Sequence, residues 1–103
     1  MHLISKRTLV KFYEKYPLAK QQLLAWAAFV EKAEWKKPSD VVASLPKTDI
    51  IDSKRVIFNI KGNDFRLITD IEYRFAKVFI VWIGSHSQYD KINAKNVKYD
   101  KNN

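Results

Sequence analysis

The apolar positions in the first third of the chain recur three and four residues apart, which is the spacing of one face of a helix. A first stripe contains Leu9, Phe12, Tyr13 and Tyr16. A second stripe contains Ala19, Leu23, Trp26, Val30 and Ala33. Pro17 lies between them, where it ends one helix and opens the next. Residues 5–34 are therefore predicted to form a helical hairpin, and the apolar residues 2–4 before it are predicted to form a short edge strand.

From Arg55 onward the pattern changes to alternation, and β-branched and aromatic residues dominate. Three strands are predicted, at residues 55–60, 65–73 and 78–83, with Gly62-Asn63-Asp64 as the first turn. The third strand is apolar on both faces, which is typical of a strand with neighbours on both sides. Residues 35–54 are predicted to be an irregular connection with one helical turn near residues 41–45. A short helix is expected within residues 87–97.

These elements predict one α+β domain over residues 1–103, with a frayed tail from about residue 95. The two N-terminal helices are expected to pack on one face of a small twisted antiparallel sheet. The other sheet face is then expected to be free to carry basic groups.

The charge of the chain narrows the choice of partner. The 103 residues carry a net charge of +8, and each half carries +4, so the charge belongs to the folded body and not to a tail. Such a surface attracts polyanions over about 8 Å at physiological salt. Nucleic acid is the commonest partner of this kind. The alternative is a soluble cationic protein without a polyanionic partner.

The chain has no cysteine, which excludes disulfides and thiolate zinc sites and suits a reducing cytoplasm. The first residues lack the apolar stretch of a signal peptide, and the longest apolar run has eight residues, far fewer than the roughly 20 of a membrane span. Two glycines cannot form a phosphate-binding glycine loop, and the two histidines and scattered carboxylates do not form a metal site. No cofactor is expected, and any nuclease activity is expected to be metal-free.

RNA cleavage without a metal is chemically reasonable because RNA carries its own nucleophile, the 2′-hydroxyl. The protein must exchange protons and stabilise negative charge on the phosphate, and Arg, Lys, His and Tyr perform these tasks. His86 follows the third strand, and on a helical turn it shares a face with Tyr89 or Asp90. The alternative for His86 is a surface residue that caps the last helix. Arg66 could equally be an exposed cross-strand charge near Asp70, and Lys61 a simple turn residue.

Three stretches resemble HigB-type toxins of the RelE-like superfamily. Residues 56–68 (VIFNIKGNDFRLI) resemble a strand–turn–strand motif of these toxins, and residues 78–92 (VFIVWIGSHSQYDKI) resemble their C-terminal motif. Residues 35–41 (WKKPSDV) resemble their linker. The resemblance covers about residues 2–93.

The resemblance implies a toxin of a type II toxin–antitoxin pair. Such toxins are cytoplasmic endoribonucleases that enter the ribosomal A site and cut mRNA without a metal. A HigA-type helix-turn-helix antitoxin inhibits them, and the complex binds operator DNA. The implied fold has two N-terminal helices on a small antiparallel sheet, with a short C-terminal helix.

The resemblance also implies roles for individual residues. Arg66 matches the arginine at the scissile phosphate, and His86 and Tyr89 match the acid–base groups. Lys61 matches a second phosphate cation, and Asp90 is expected to orient His86 or Tyr89. The remaining residues expected to bind substrate or ribosomal RNA are Asn63, Lys54, Arg55, Lys91 and Lys95.

Two other functions remain open from the sequence. One is a non-catalytic RNA- or ribosome-binding module, which needs the charge but not His86 and Tyr89. The other is a member of the same superfamily that poisons a topoisomerase. Aromatic residues do not decide between them, because Trp35 and Tyr73 could stack on bases or pack in the core.

Overall fold

The structure is a computed structural model that describes residues 1–100 of the chain. It contains one open five-stranded sheet and four helices among these residues. The strands are β1 (His2–Ile4), β2 (Thr48–Ile50), β3 (Arg55–Ile60), β4 (Phe65–Glu72) and β5 (Lys77–Ser85). The helices are α1 (Lys6–Lys15), α2 (Lys20–Lys32), α3 (Pro38–Ser44) and α4 (His86–Tyr89), with 3₁₀ turns at Pro17–Ala19 and Tyr73–Phe75. The α+β fold class is confirmed.

The strand order in the sheet is β1-β5-β4-β3-β2. From β2 to β5 each strand is antiparallel to the next one along the chain, so the predicted meander is confirmed. β5 has a neighbour on each side, β4 and β1. β1 lies on an edge as predicted, but it runs parallel to β5, with Leu3 opposite Val78. β2 was not predicted. Its three residues lie in the stretch that was predicted to be irregular, and pairing with β3 makes them a strand.

The helical hairpin packs on one face of the sheet, called here the inner face. Leu9, Leu23 and Val30 of the two predicted stripes are buried against Phe58 and other inner-face residues. The ring of Trp35 stacks on Phe58 at 6.1 Å between centroids, and its indole N–H donates a hydrogen bond to Ser44 Oγ. Trp35 is therefore a core residue and is not available to stack on a base.

The opposite, outer face of the sheet is not free. Ile57, Ile68 and Val81 form its apolar centre. This centre is covered mainly by the C-terminal segment, defined here as residues 90–99. The covering residues are Ile51, Trp82, Tyr89, Ile92, Ala94, Val97 and Tyr99. Residues 95–100, expected to belong to a frayed tail, include Val97 and Tyr99 of this layer, and residues 101–103 lie outside the described residues.

One buried arginine joins the C-terminal segment to the sheet. Arg55 is 6% exposed, and its guanidinium donates two hydrogen bonds of 2.8 Å to the carboxylate of Asp70 on β4. The same guanidinium donates to the carbonyl oxygens of Ala94 and Val97. Because the buried charge is paired and its donors are used, Arg55 holds the segment against the outer face.

A β-bulge determines where Trp82 points. Ile68 pairs with Trp82 but Thr69 pairs with Ile80, so Val81 is an extra residue in β5. Val81 and Trp82 therefore both contact the outer layer, although strict alternation would place them on opposite faces. The bulge brings the indole of Trp82 to the side of the sheet on which Tyr89 lies.

The phenol of Tyr73 predicts how stability depends on alkaline pH. Burial raises its pKa to about 12, with a smaller contribution from Asp40, and its hydroxyl has no hydrogen-bond partner within residues 1–100. An unfolded tyrosine ionises near pH 10, so the native state holds this proton more tightly. The stabilising effect is complete below pH 10 and is lost as pH rises towards 12.

We therefore expect Tyr73→Phe to reduce the alkaline loss of stability by roughly 1–2 kcal/mol near pH 11.5. Urea unfolding of wild type and variant at pH 8 and at the alkaline pH measures this. Equal alkaline losses in both proteins would contradict the assignment.

Candidate active site on the outer sheet face

Arg66 lies on β4 at one end of the outer face. It is opposite Asn59 of β3 and Gly84 of β5. Its guanidinium carbon is 5.8 Å from the ring centre of Tyr89, a cation–π contact, and one N–H donates a long hydrogen bond of 3.4 Å to the carbonyl of Asn63. Within residues 1–100 no carboxylate forms an ion pair with Arg66. This cation can therefore bind a phosphate without first breaking a salt bridge.

Helix α4 begins at the end of β5 because of a capping box. The Ser85 hydroxyl accepts a hydrogen bond from the Gln88 backbone N–H at 3.2 Å, and the Gln88 side-chain oxygen accepts from the Ser85 N–H at 2.8 Å. The His86 N–H donates to the carbonyl of Asp64 at 3.0 Å, which joins α4 to the β3–β4 turn. The Ser-x-x-Gln pattern was readable in the sequence, and it would have placed the helix start at residue 86.

His86 and Asp90 form a pair on the exposed side of α4. His86 Nε2 is 3.5 Å from Asp90 Oδ2, and the two side chains are 53% and 61% exposed. The i,i+4 spacing of one helical turn produces this contact. A carboxylate at this distance can orient the imidazole ring. An imidazole–carboxylate pair of this kind can exchange a proton with a bound ligand.

Tyr89 is half-buried between Arg66 and Trp82. Its ring centre is 6.2 Å from that of Trp82. Burial raises the pKa of the phenol, the charge of Asp49 raises it further, and Arg66 opposes the shift. The phenol therefore keeps its proton at neutral pH and is able to donate a hydrogen bond to a ligand.

Asp49 belongs to this site although sequence reasoning missed it. It lies on β2 opposite Ile57, and residues opposite each other in an antiparallel pair share a face. Asp49 therefore lies on the outer face, and its charge acts on Tyr89. No sequence pattern indicated it, because the three-residue strand that carries it exists only through pairing with β3.

Lys61 and Asn63 belong to the turn between β3 and β4, at the same end of the sheet. Lys61 and Gly62 have positive φ angles of 53° and 64°, so the left-handed conformation begins one residue before the predicted turn. The Lys61 ammonium is 3.8 Å from Asp64 Oδ2. The turn carbonyls of Asn63 and Asp64 contact Arg66 and the His86 N–H, so the turn supports both groups.

The remaining predicted RNA-binding residues do not join this cluster. Lys54 pairs with Glu72 at 2.9 Å, at the far end of β4, roughly 20 Å from Arg66 along the strand. Arg55 is the buried residue that holds the C-terminal segment, so its guanidinium cannot reach a ligand on the surface. Lys91 and Lys95 are exposed beyond α4.

Gly84 is a second residue whose importance was missed. The third strand was predicted to end at residue 83, but Gly84 lies within β5. A Cβ atom at Gly84 would be 2.6 Å from Trp82 Cζ2 and 2.8 Å from Gln88 Oε1. Only glycine lets the indole and the capping amide approach the strand so closely. Gly84 thus allows the packing that fixes Tyr89.

We expect Gly84→Ala to displace Trp82 and to lower the free energy of unfolding by about 1–3 kcal/mol. Urea unfolding and the tryptophan emission spectrum measure the two effects. Gly62→Ala is the matched control: it has open space but a strained φ, so it costs about 1–2 kcal/mol without changing the emission spectrum. Wild-type stability and emission in Gly84→Ala would contradict this account.

Within residues 1–100, no group of three or more His, Cys, Asp or Glu side chains is arranged to hold a metal ion. None of the helices over the same residues is both long and apolar enough to cross a membrane. The site thus combines one arginine, an imidazole–carboxylate pair and a protonated phenol. Such groups bind a phosphate and move protons.

The chain is similar to known proteins over most of its length. Residues 19–92 match the HigB toxin family, described as the RelE-like toxic component of a toxin–antitoxin system. The mRNA interferase toxin HigB of Escherichia coli strain K12 is 32% identical over 96 residues, which are 91% of this chain and 92% of that protein. The mRNA interferase HigB of Escherichia coli O6:H1 is 26% identical over 94 residues, which are 89% and 91% of the two chains. This chain belongs to the HigB family of RelE-like toxins.

Proposed function

We propose that this toxin is an mRNA interferase, an endoribonuclease that cuts mRNA in the ribosomal A site without a metal ion. The observation that carries the proposal is the contact of Arg66 with Tyr89 on α4, the helix that also carries His86 of the His86–Asp90 pair. The names of the related mRNA interferases support the same activity.

The proposed reaction uses the 2′-hydroxyl of RNA as nucleophile. His86, oriented by Asp90, accepts the 2′-hydroxyl proton while the 2′-oxygen attacks the phosphorus. The bond from phosphorus to the 5′-oxygen of the next nucleotide breaks, and that oxygen takes a proton from water, while His86 returns the proton it accepted to water. The products are a 2′,3′-cyclic phosphate and a free 5′-hydroxyl, so atoms and charge balance.

Arg66 stabilises the charge that develops on the phosphate oxygens, and Lys61 is the second cation on the same side of the site. Fixed donors of this kind each contribute several kcal/mol in a dry site. Tyr89 keeps its proton because of burial and Asp49, so it donates a hydrogen bond to the phosphate or the leaving oxygen. Asn63 supports Arg66 through its carbonyl.

The partners follow from the family. A toxin of a toxin–antitoxin system has an antitoxin, which we propose to be a helix-turn-helix protein of the HigA type. Operator DNA is bound only through the toxin–antitoxin complex. The exposed Lys91 and Lys95 contact RNA, and the protein acts in the cytoplasm.

Primer extension on a reporter mRNA after brief induction tests the function. The comparison is the same mRNA without a start codon. Cuts within the reading frame of the translated message alone are the expected result. Cuts in both messages would indicate a free ribonuclease. No cuts in either would overturn the proposal and favour a binding module, or a topoisomerase poison if DNA damage signalling appears.

A further inference from the structure

A groove lies beside the open edge of β5, between α1 and α4. β1 pairs only with residues 77–79 of β5, so the edge from residue 80 to 85 has no neighbouring strand within residues 1–100. The groove beside this edge has a volume of about 410 Å³. Phe12, Ile83 and Ile92 form its apolar lining. Its size is within the range of small-ligand sites, about 300–1,000 Å³.

The other groove residues are aromatic, cationic or amide-bearing. Tyr16 and Trp82 supply aromatic surfaces, and Lys15 and Lys91 supply two exposed ammonium groups. The Lys15 ammonium is 5.8 Å from the ring centre of Tyr16. Among residues 1–100, no carboxylate lines the groove. Aromatic rings stack on bases of single-stranded RNA, and lysines pair with phosphates. The lining therefore matches a nucleotide and does not repel its phosphate.

The groove and the proposed site share residues. The Trp82 indole lines the groove and packs against Tyr89. Gln88, which also lines the groove, caps α4 through its side-chain oxygen and donates from its amide nitrogen to the Tyr16 hydroxyl at 3.4 Å. A chain of RNA with its scissile phosphate at Arg66 can thus continue past α4 into the groove.

We propose that this groove is a nucleotide subsite, which takes one base of single-stranded RNA that flanks the scissile phosphate. The base stacks against Tyr16 and Trp82, and Lys15 and Lys91 bind the phosphates on either side of it. The subsite rests on the proposed function, because the scissile phosphate defines its position. The subsite binds the mRNA at a position separate from the catalytic residues.

Binding of an uncleavable 2′-O-methyl RNA hexanucleotide tests the subsite. Trp26 and Trp35 are only 7% and 3% exposed, so Trp82 is the tryptophan whose fluorescence a ligand can change. RNA is expected to quench the emission of the wild type, and Trp82→Phe is expected to abolish the quenching. The slope of log affinity against log salt concentration then gives the number of phosphate contacts.

The decisive variant is Lys15→Gln/Lys91→Gln. It is expected to reduce the slope of log affinity against log salt concentration by about 1.4, since each phosphate contact to a single strand contributes about 0.7. Lys11→Gln is the matched control, because Lys11 is an exposed lysine one turn earlier on α1 and does not line the groove. It is expected to leave the slope unchanged.

Primer extension with the same variants separates the subsite from the catalytic function. Wild-type cutting, with weaker or relocated cuts in the double variant, supports the subsite. Wild-type cutting with an unchanged slope and unchanged cuts in the double variant overturns the subsite and keeps the function. Absent wild-type cutting with a lysine-dependent slope overturns the function and keeps the groove as an RNA site. Lost antitoxin binding with an unchanged RNA slope also overturns the subsite, and assigns the groove to a protein partner.

Discussion

Arg66→Ala is expected to lower the rate of mRNA cleavage about 100- to 1,000-fold and to leave the fold intact. A large loss is expected because, in the proposed mechanism, the guanidinium stabilises charge that develops only in the transition state. The effect on stability is small because Arg66 makes a single long hydrogen bond and one cation–π contact within residues 1–100. Primer-extension band intensity at matched expression measures the rate, and urea unfolding measures the fold.

Two further variants test whether Arg66 acts through the planar geometry and position of its guanidinium or only through its positive charge. Arg66→Lys keeps the charge but loses the planar donors, so it is expected to recover only part of the activity. Arg74→Ala is the matched control, since Arg74 is exposed and lies in the turn after β4, at the opposite end of that strand. It removes the same charge and is expected to cut like wild type. Full cutting by Arg66→Ala, or an equal loss in both alanine variants, would refute the assigned role.

Arg55→Ala is expected to lower the free energy of unfolding by about 3–5 kcal/mol, because it leaves the carboxylate of Asp70 partly buried without its partner. It also removes the donors to the carbonyls of Ala94 and Val97. The C-terminal segment is therefore expected to detach from the outer face before the rest unfolds. Urea unfolding measures the free energy, and hydrogen exchange of residues 92–99 measures the detachment.

The control variants distinguish the buried charge pair from a general loss of basic charge. Lys54→Ala removes the neighbouring, exposed cation and is expected to change stability little. Arg55→Met combined with Asp70→Leu replaces the ion pair by apolar groups and is expected to recover much of the loss. Rapid exchange of residues 92–99 already in wild type would contradict the role of Arg55.

Periodicity predicted the parts of the fold that depend on local pattern. The stripes around Leu23 and Val30 and the alternation from Arg55 to Ile60 sufficed for the helical hairpin and the first long strand, because burial of one face repeats with the period of each element. The parallel pairing of β1 with β5 was not predictable, since it joins residues about 75 positions apart. The bulge at Val81 was also not predictable, because it lies in a run of apolar residues that shows no alternation.

The candidate site was predictable only where its residues lie close together in the chain. His86, Tyr89 and Asp90 share one helical turn, and Arg66 stands in a motif that resembles the family. Asp70 was expected near Arg66, but the register of β3 and β4 pairs it with Arg55. Whether a basic residue such as Arg55 binds RNA or lies buried depends on packing by a distant segment.

The pairing of β5 with both β1 and β4 has a consequence for when the proposed site forms in a newly made chain. Residues 77–99 supply the strand next to β1, helix α4 and the segment that covers the outer face, and they are synthesised after every residue they pack against. Strand pairs so distant in sequence form late in folding. His86 and Tyr89 therefore take their places in the proposed site only after β5 has been made and has paired with the sheet.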